Sequence, residues 1–133
     1  MLKSNIHRLD KTLLSEIVAP GYINVSKHEI RSIVRKRRMV WAGEGVGTGS
    51  RKFQRATKSA LASAELGKAN LNKVRGLLIH MACDEQASIF EMNMEITRIQ
   101  SFFPSKTKLK FGIRFNPAIK DRVQTSIIAA GIH

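Results

Sequence analysis

Cysteine, aromatic rings and acidic side chains are all scarce in this 133-residue chain. The single cysteine, Cys83, excludes an internal disulfide framework and suits a reducing compartment. Aromatic residues make up 6%, with one Trp and one Tyr, which leaves few rings to stack on bases. The apolar stretches near Leu77–Cys83 and Ile127–Ile132 are far shorter than the ~20 residues that span a bilayer. The opening MLKSNIHRLDKTLL carries charges throughout and lacks the apolar core of a secretory signal. The expected setting is therefore the cytoplasm, with no membrane partner. Asp and Glu total 10 against 23 Lys and Arg, a formal net charge of +13. Such an excess points to an anionic partner: nucleic acid, an acidic protein, a nucleotide or an anionic surface. A merely solubilising surface is the plain alternative.

What is present is a foldable pattern. Hydrophobic residues are 43% of the chain, and the length suits one domain with its own core. Ile6, Leu9, Leu13, Leu14, Ile17 and Val18 recur at helical spacing, and Pro20-Gly21 must end that helix. Ser26-Lys27-His28-Glu29 reads as a capping box opening a second helix that buries Ile30, Ile33 and Val34. Lys27, Arg31, Arg35 and Arg38 share another face of it, within about 80° at helical spacing. Met39–Ala42 reads as a short buried strand. The glycine-rich Gly43–Gly49 reads as a loop, and Ser50 as the cap of a third helix with Phe53, Ala56, Ala60 and Ala64 on one face. Gly67 and Asn70 mark another loop, and Gly76–Cys83 a buried strand. Ser88 and Glu91 form a second capping box. The helix it opens carries Ile89, Met92, Ile96 and Ile99 inward, with Glu91, Glu95 and Arg98 on its outer side. Lys108–Phe115 alternates strictly, a half-buried strand with a basic outer face. Arg122–Ala130 is a last strand, expected to pair antiparallel with the one before it. The fold class is α/β: a single domain with a mixed sheet of about four strands packed with helices.

Few constellations carry chemistry. The glycine loop lacks the GK[ST] of a P-loop, so it is either an anion-holding turn or a plain strand-to-helix turn. His7, His28, His80 and His133 are scattered, and with one cysteine no metal-ligand spacing emerges. His80 reads as a core histidine, Cys83 as a buried thiol without a catalytic partner, and Met92 with Met94 as packing. Two basic runs stand out as an anion-binding patch: Arg35, Lys36, Arg37 and Arg38, and the face of Lys108, Lys110 and Arg114.

Taken in order, the segments resemble the C-terminal domain of the FtsZ family. Ile17-Val18-Ala19-Pro20-Gly21-Tyr22-Ile23-Asn24-Val25 is similar to the end of that family's connecting helix and the start of its synergy loop. Trp41–Arg51 (WAGEGVGTGSR) resembles its glycine-rich turn, Ala60–Leu66 the end of the next helix, and Val74–His80 the following strand. Phe111-Gly112, Asn116–Val123 and Ile127–Gly131 resemble its last two strands. The resemblance implies residues 1–20 as part of the connecting helix and 21–133 as the C-terminal domain. It also implies that a GTP-binding domain, which family members carry ahead of this one, is missing here. The chain is thus expected not to be an enzyme and to need no cofactor.

In the family the synergy loop enters the nucleotide pocket of the neighbouring subunit, where two aspartates promote GTP hydrolysis. Asn24 matches that pattern, but Ser26 and Glu29 stand at the aspartate positions, and Lys27 adds a cation. A serine hydroxyl activates water poorly, and an extra methylene misplaces a carboxylate. The resemblance therefore implies a non-catalytic module that binds FtsZ or a related filament protein and caps or modulates its assembly. Its docking residues would be Asn24, Ser26, Lys27, His28, Glu29, Arg31 and Arg35, near the partner's bound GTP. Self-association is a further option. A basic nucleic-acid-binding domain on a borrowed fold is the alternative. No nucleophile–base pair supports a small-molecule enzyme.

Overall fold

A computed structural model describes residues 11–19, 21–35, 37, 39–84 and 86–131. The elements run α1 (Lys11–Val18), α2 (Lys27–Val34), β1 (Met39–Thr48), α3 (Lys52–Ser63), α4 (Lys68–Leu71), β2 (Val74–Cys83), α5 (Ile89–Gln100), β3 (Lys108–Phe115) and β4 (Arg122–Gly131). The strands form one four-stranded sheet in the order β1-β4-β2-β3. β4 is antiparallel to both β1 and β2, while β2 and β3 run parallel. The expected mixed sheet is present, but the expected β3–β4 pair is not. β4 inserts between β1 and β2, so the last two strands are not neighbours. Of the first helix, Ile6 and Leu9 lie outside the described residues, as do Pro20, Lys36 and Arg38.

Alternation along the strands divides the core between the two sheet faces. On one face Trp41, Leu77, Ile79, Met81, Ile113, Ile127 and Ala129 pack with Phe53, Ala56 and Ala60 of α3 and Met92, Ile96 and Ile99 of α5. On the other, Val40, Ala42, Leu78, Ile128 and Ala130 receive Ile17 of α1, Val25, and Ile30 and Ile33 of α2. The result is helices on both sides of a sheet whose central strands, β4 and β2, are buried along most of their length.

The glycine-rich segment corrects the sequence reading. Gly43, Gly45 and Gly47 are not a loop but lie inside β1, all turned toward α3. A Cβ on Gly45 would sit 2.5 Å from the Ala60 nitrogen and 2.6 Å from the Ala56 carbonyl oxygen. A Cβ on Gly43 would sit 2.4 Å from the Ala64 nitrogen, and one on Gly47 1.9 Å from the Lys52 carbonyl oxygen. The glycines let the helix backbone rest on the strand backbone, the close approach that glycine in a strand permits. The turn itself falls to Gly49, at φ +81°, where only glycine is unstrained. Ser50 does not cap α3: the N-cap is Arg51, which makes no side-chain cap bond. The expected loop at Gly67–Asn70 contains the short helix α4.

Two side chains on α5 also depart from expectation. Glu95 is buried rather than outward, 4% exposed. The Thr57 hydroxyl of α3 donates to its Oε2, and Arg98 donates to both oxygens at 2.9 and 2.7 Å. The fork satisfies the carboxylate and joins α3 to α5. Arg98 also lies over the Phe102 ring, 5.2 Å from its centroid. Met92 is buried as expected, but Met94 is 58% exposed and lies outside the core. The Ser88 hydroxyl accepts from the Glu91 N–H at 3.2 Å, half of the expected box.

Cys83 is fully buried, and its thiol donates to the Met92 sulfur at 3.3 Å. Burial, with a smaller push from the Asp84 charge, raises its pKa to about 11. Ellman's reagent at pH 8 should therefore leave it unmodified in the folded protein and label it on unfolding, because the thiolate is the reactive form. Gly45→Ala should lower stability by about 3 kcal/mol or prevent folding, since the helix backbone cannot retreat from the strand. Gly67→Ala, with no atom near its Cβ, should stay within about 0.5 kcal/mol of the parent in a urea melt.

Candidate partner-docking site

The segment between α1 and α2 is held on the β3 edge by backbone. Ile23 donates to the Ile113 carbonyl at 3.0 Å and Ile113 returns the bond at 2.9 Å, an isolated antiparallel bridge. Val25 is buried beside it, where a Cβ on Gly112 would come within 2.6 Å of Val25 Cγ2. Gly112 thus clears the strand for the loop to lie on. The Asn24 side-chain oxygen accepts from the Gly21 N–H at 2.8 Å and closes the turn. Tyr22 stays 59% exposed and meets Phe115 edge-on at 5.7 Å between centroids.

From this anchor α2 starts with the capping box the sequence predicts. The Ser26 hydroxyl accepts from the Glu29 N–H at 3.1 Å, and Glu29 Oε1 accepts from the Ser26 N–H at 2.9 Å. Glu29 Oε2 faces Lys110 Nζ at 4.0 Å. The Glu29 carboxylate is thereby turned inward on the chain. What the surface presents instead is Asn24, Ser26, Lys27, His28 and Arg31, all exposed, with Arg35 following. α2 ends at Val34, and Arg35 adopts extended geometry, φ −62° and ψ 133°, so Arg35 does not continue the helical face. Of the seven residues expected at the site, those from Asn24 to Arg31 lie along the loop and first turns of α2, with Glu29 engaged inward, and Arg35 lies beyond the helix end. Sequence reasoning missed Tyr22, Gly112 and Lys110 as parts of the site. The break that Gly112 makes in an otherwise strict alternation is the signal that could have found the contact.

The other basic set divides. Lys110 and Arg114 lie by the loop: Lys110 faces Glu29, and the Arg114 backbone lies beneath Gly21. Lys108 opens β3 two residues before Lys110, and Arg37 precedes β1. Lys36 and Arg38 lie outside the described residues, as do His7 and His133. His28 is on the exposed ridge and His80 is buried within β2. Among the described residues no group of three or more His, Cys, Asp or Glu side chains could hold a metal ion, and no helix is long and apolar enough to cross a membrane.

Comparison with known proteins agrees with this geometry. The family model described as "FtsZ family, C-terminal domain" matches residues 39–133. The cell division protein FtsZ of Pseudomonas putida is 26% identical over 120 residues, covering 90% of this chain and 30% of that protein. Its counterpart in Rickettsia bellii is 26% identical over 117 residues, covering 87% of this chain and 26% of that one. The chain thus spans less than a third of the length of these relatives. Among solved structures, an FtsZ dimer of M. jannaschii superposes with a TM-score of 0.75 at 19% identity, over 90% of this chain and 34% of that one. The family match over residues 39–133 takes in all four strands and leads to one conclusion: this chain belongs to the FtsZ family and corresponds to its C-terminal domain.

Proposed function

We propose that the chain is a non-catalytic FtsZ-like module that docks on the nucleotide-bearing face of an FtsZ-type subunit and modulates filament assembly. The observation that carries this reading is the closed capping box. Ser26 and Glu29 bind each other's backbone, and Glu29 also faces Lys110, so neither is free to position an attacking water. The resemblance assigns that task to two acids at these positions. A module so built can dock without promoting hydrolysis.

The exposed ridge supports the choice of partner face. Lys27, Arg31 and Arg35 offer cations to a surface that carries a nucleoside triphosphate, and complementary charge speeds such an encounter. Assembly of head-to-tail subunits is open-ended, and each added subunit must offer both a loop face and a nucleotide face. Presented as these 133 residues, the module offers the loop face and stops growth at the end it occupies.

Adding the purified 133-residue polypeptide to FtsZ with GTP should lower both light scattering and phosphate release at sub-stoichiometric ratios. Absence of any binding to FtsZ in low salt overturns the proposal. The double variant Ser26→Asp with Glu29→Asp should raise phosphate release above that of the unmodified module, because aspartate still caps the helix while restoring carboxylates at the loop. Unchanged release would remove the loop as the docking element.

A further inference from the structure

The topology gathers a second cationic surface at the opposite end of α2. Met39 pairs with Gly131, and Gly131 pairs with Val74, so the segments entering β1 and β2 lie side by side. The Thr107 hydroxyl donates to the Val74 carbonyl at 3.0 Å, and Lys108 pairs with Gly76, which brings the start of β3 to the same end. A Cβ on Gly76 would lie 3.0 Å from the Ile33 carbonyl oxygen, so α2 ends there too. Six cations far apart in sequence converge as a result: Arg35, Arg37, Lys73, Arg75, Lys106 and Lys108. Arg75 is held by its guanidinium, which donates to the Asn72 and Val74 carbonyls at 2.8 and 3.0 Å. Arg35, Lys106 and Lys108 are exposed and the other three half-buried. None of the six is ion-paired with a described carboxylate. Glu65 lies beyond the end of α3, where its carbonyl accepts from Asn70 Nδ2 at 3.2 Å. Asp84 and Asp121 lie at the far end of the sheet, joined by the Asp121 N–H to Asp84 Oδ2 bond.

We propose that this end of the sheet binds the phosphodiester backbone of duplex nucleic acid, without reading its sequence. The geometry suits it. The four strand starts and ends span three inter-strand spacings, about 14 Å. One strand of a duplex presents a phosphate about every 3.4 Å of axis, so roughly four phosphates fall within that width. The surface lacks what other anionic partners need. Among the described residues the exposed large apolar side chains are Tyr22, Val46, Phe90 and Met94, none of them at this end, so none of these is placed to enter a lipid headgroup layer or a protein pocket. Phe103 is buried and Phe102 lies under Arg98, so no ring is offered to an unstacked base. Cations without rings or apolar anchors fit a backbone held by charge alone. This surface lies at the other end of α2 from the Asn24–Arg31 ridge and meets the docking set at Arg35 alone, and the proposal does not depend on filament docking.

The test is fluorescence anisotropy with two labelled duplexes of about 20 base pairs and unrelated sequence, titrated at several salt concentrations. Both duplexes should bind with affinities within about three-fold of each other. About four phosphate contacts give a slope near −3.6 in log K against log salt, a loss on the order of 100-fold between about 50 and about 200 mM. Lys106→Glu with Lys108→Glu should cut affinity at least about ten-fold and flatten the slope by about 2, while the effect on FtsZ light scattering stays that of the parent. Lys27→Glu with Arg31→Glu should leave the slope almost unchanged. No duplex binding at about 50 mM salt, equal loss from the Lys27 and Arg31 pair, or binding only to phosphatidylserine vesicles would each overturn the proposal.

Discussion

The backbone of α3 lies directly on the backbone of β1, and the rest of the domain is arranged around that contact. Gly43, Gly45 and Gly47 face the helix, and any side chain at these positions would overlap main-chain atoms of Lys52, Ala56, Ala60 or Ala64. Small residues on the helix side, Ala56, Ala60 and Ala64, complete the fit. Because the helix sits so low over the edge strand, the larger side chains of the same core face, Trp41, Phe53, Leu77 and Ile127 among them, close against each other. Close packing of this kind leaves little room for adjustment.

The opposite face of the sheet depends on a lighter device. α1 and α2 cover it with a small set of aliphatic residues, and the segment between them is fastened to β3 by two backbone hydrogen bonds and the clearance at Gly112. That fastening sets where α2 begins, and the capping box sets its first turn. The two ends of α2 consequently meet different surroundings. Its start carries the ridge from Asn24 to Arg31, and its end delivers Arg35 to the cations that enter the sheet.

Local patterns were legible in the sequence and non-local ones were not. The Ser26–Glu29 box is contained in four residues, so its chemistry could be read directly and is found closed as expected. The alternation of β3 and the apolar run of β2 likewise reveal strands without reference to partners. The glycines of β1 look like a turn because their reason for existing is a helix that comes later in the chain. Glu95 looks outward because a helical wheel knows nothing of Thr57 on another helix. Strand order was misjudged for the same cause: β4 pairs with strands dozens of residues away. The family was recognisable from collinear fragments, yet the cationic end was not, since Lys73, Arg75 and Lys106 are brought to Arg35 only by the pairing of β1, β4 and β2.

The position of β4 has a consequence for how the chain reaches this shape. It is the last strand in sequence and yet sits between the first and second, supplying both with their hydrogen-bond partners. The β1–α3 unit is built from neighbouring residues and can form early, as local contacts do. It cannot join the β2–β3 pair until β4 arrives. During synthesis the two halves of the sheet must wait as separate pieces with unpaired edges until β4, made after both, turns them into a single domain.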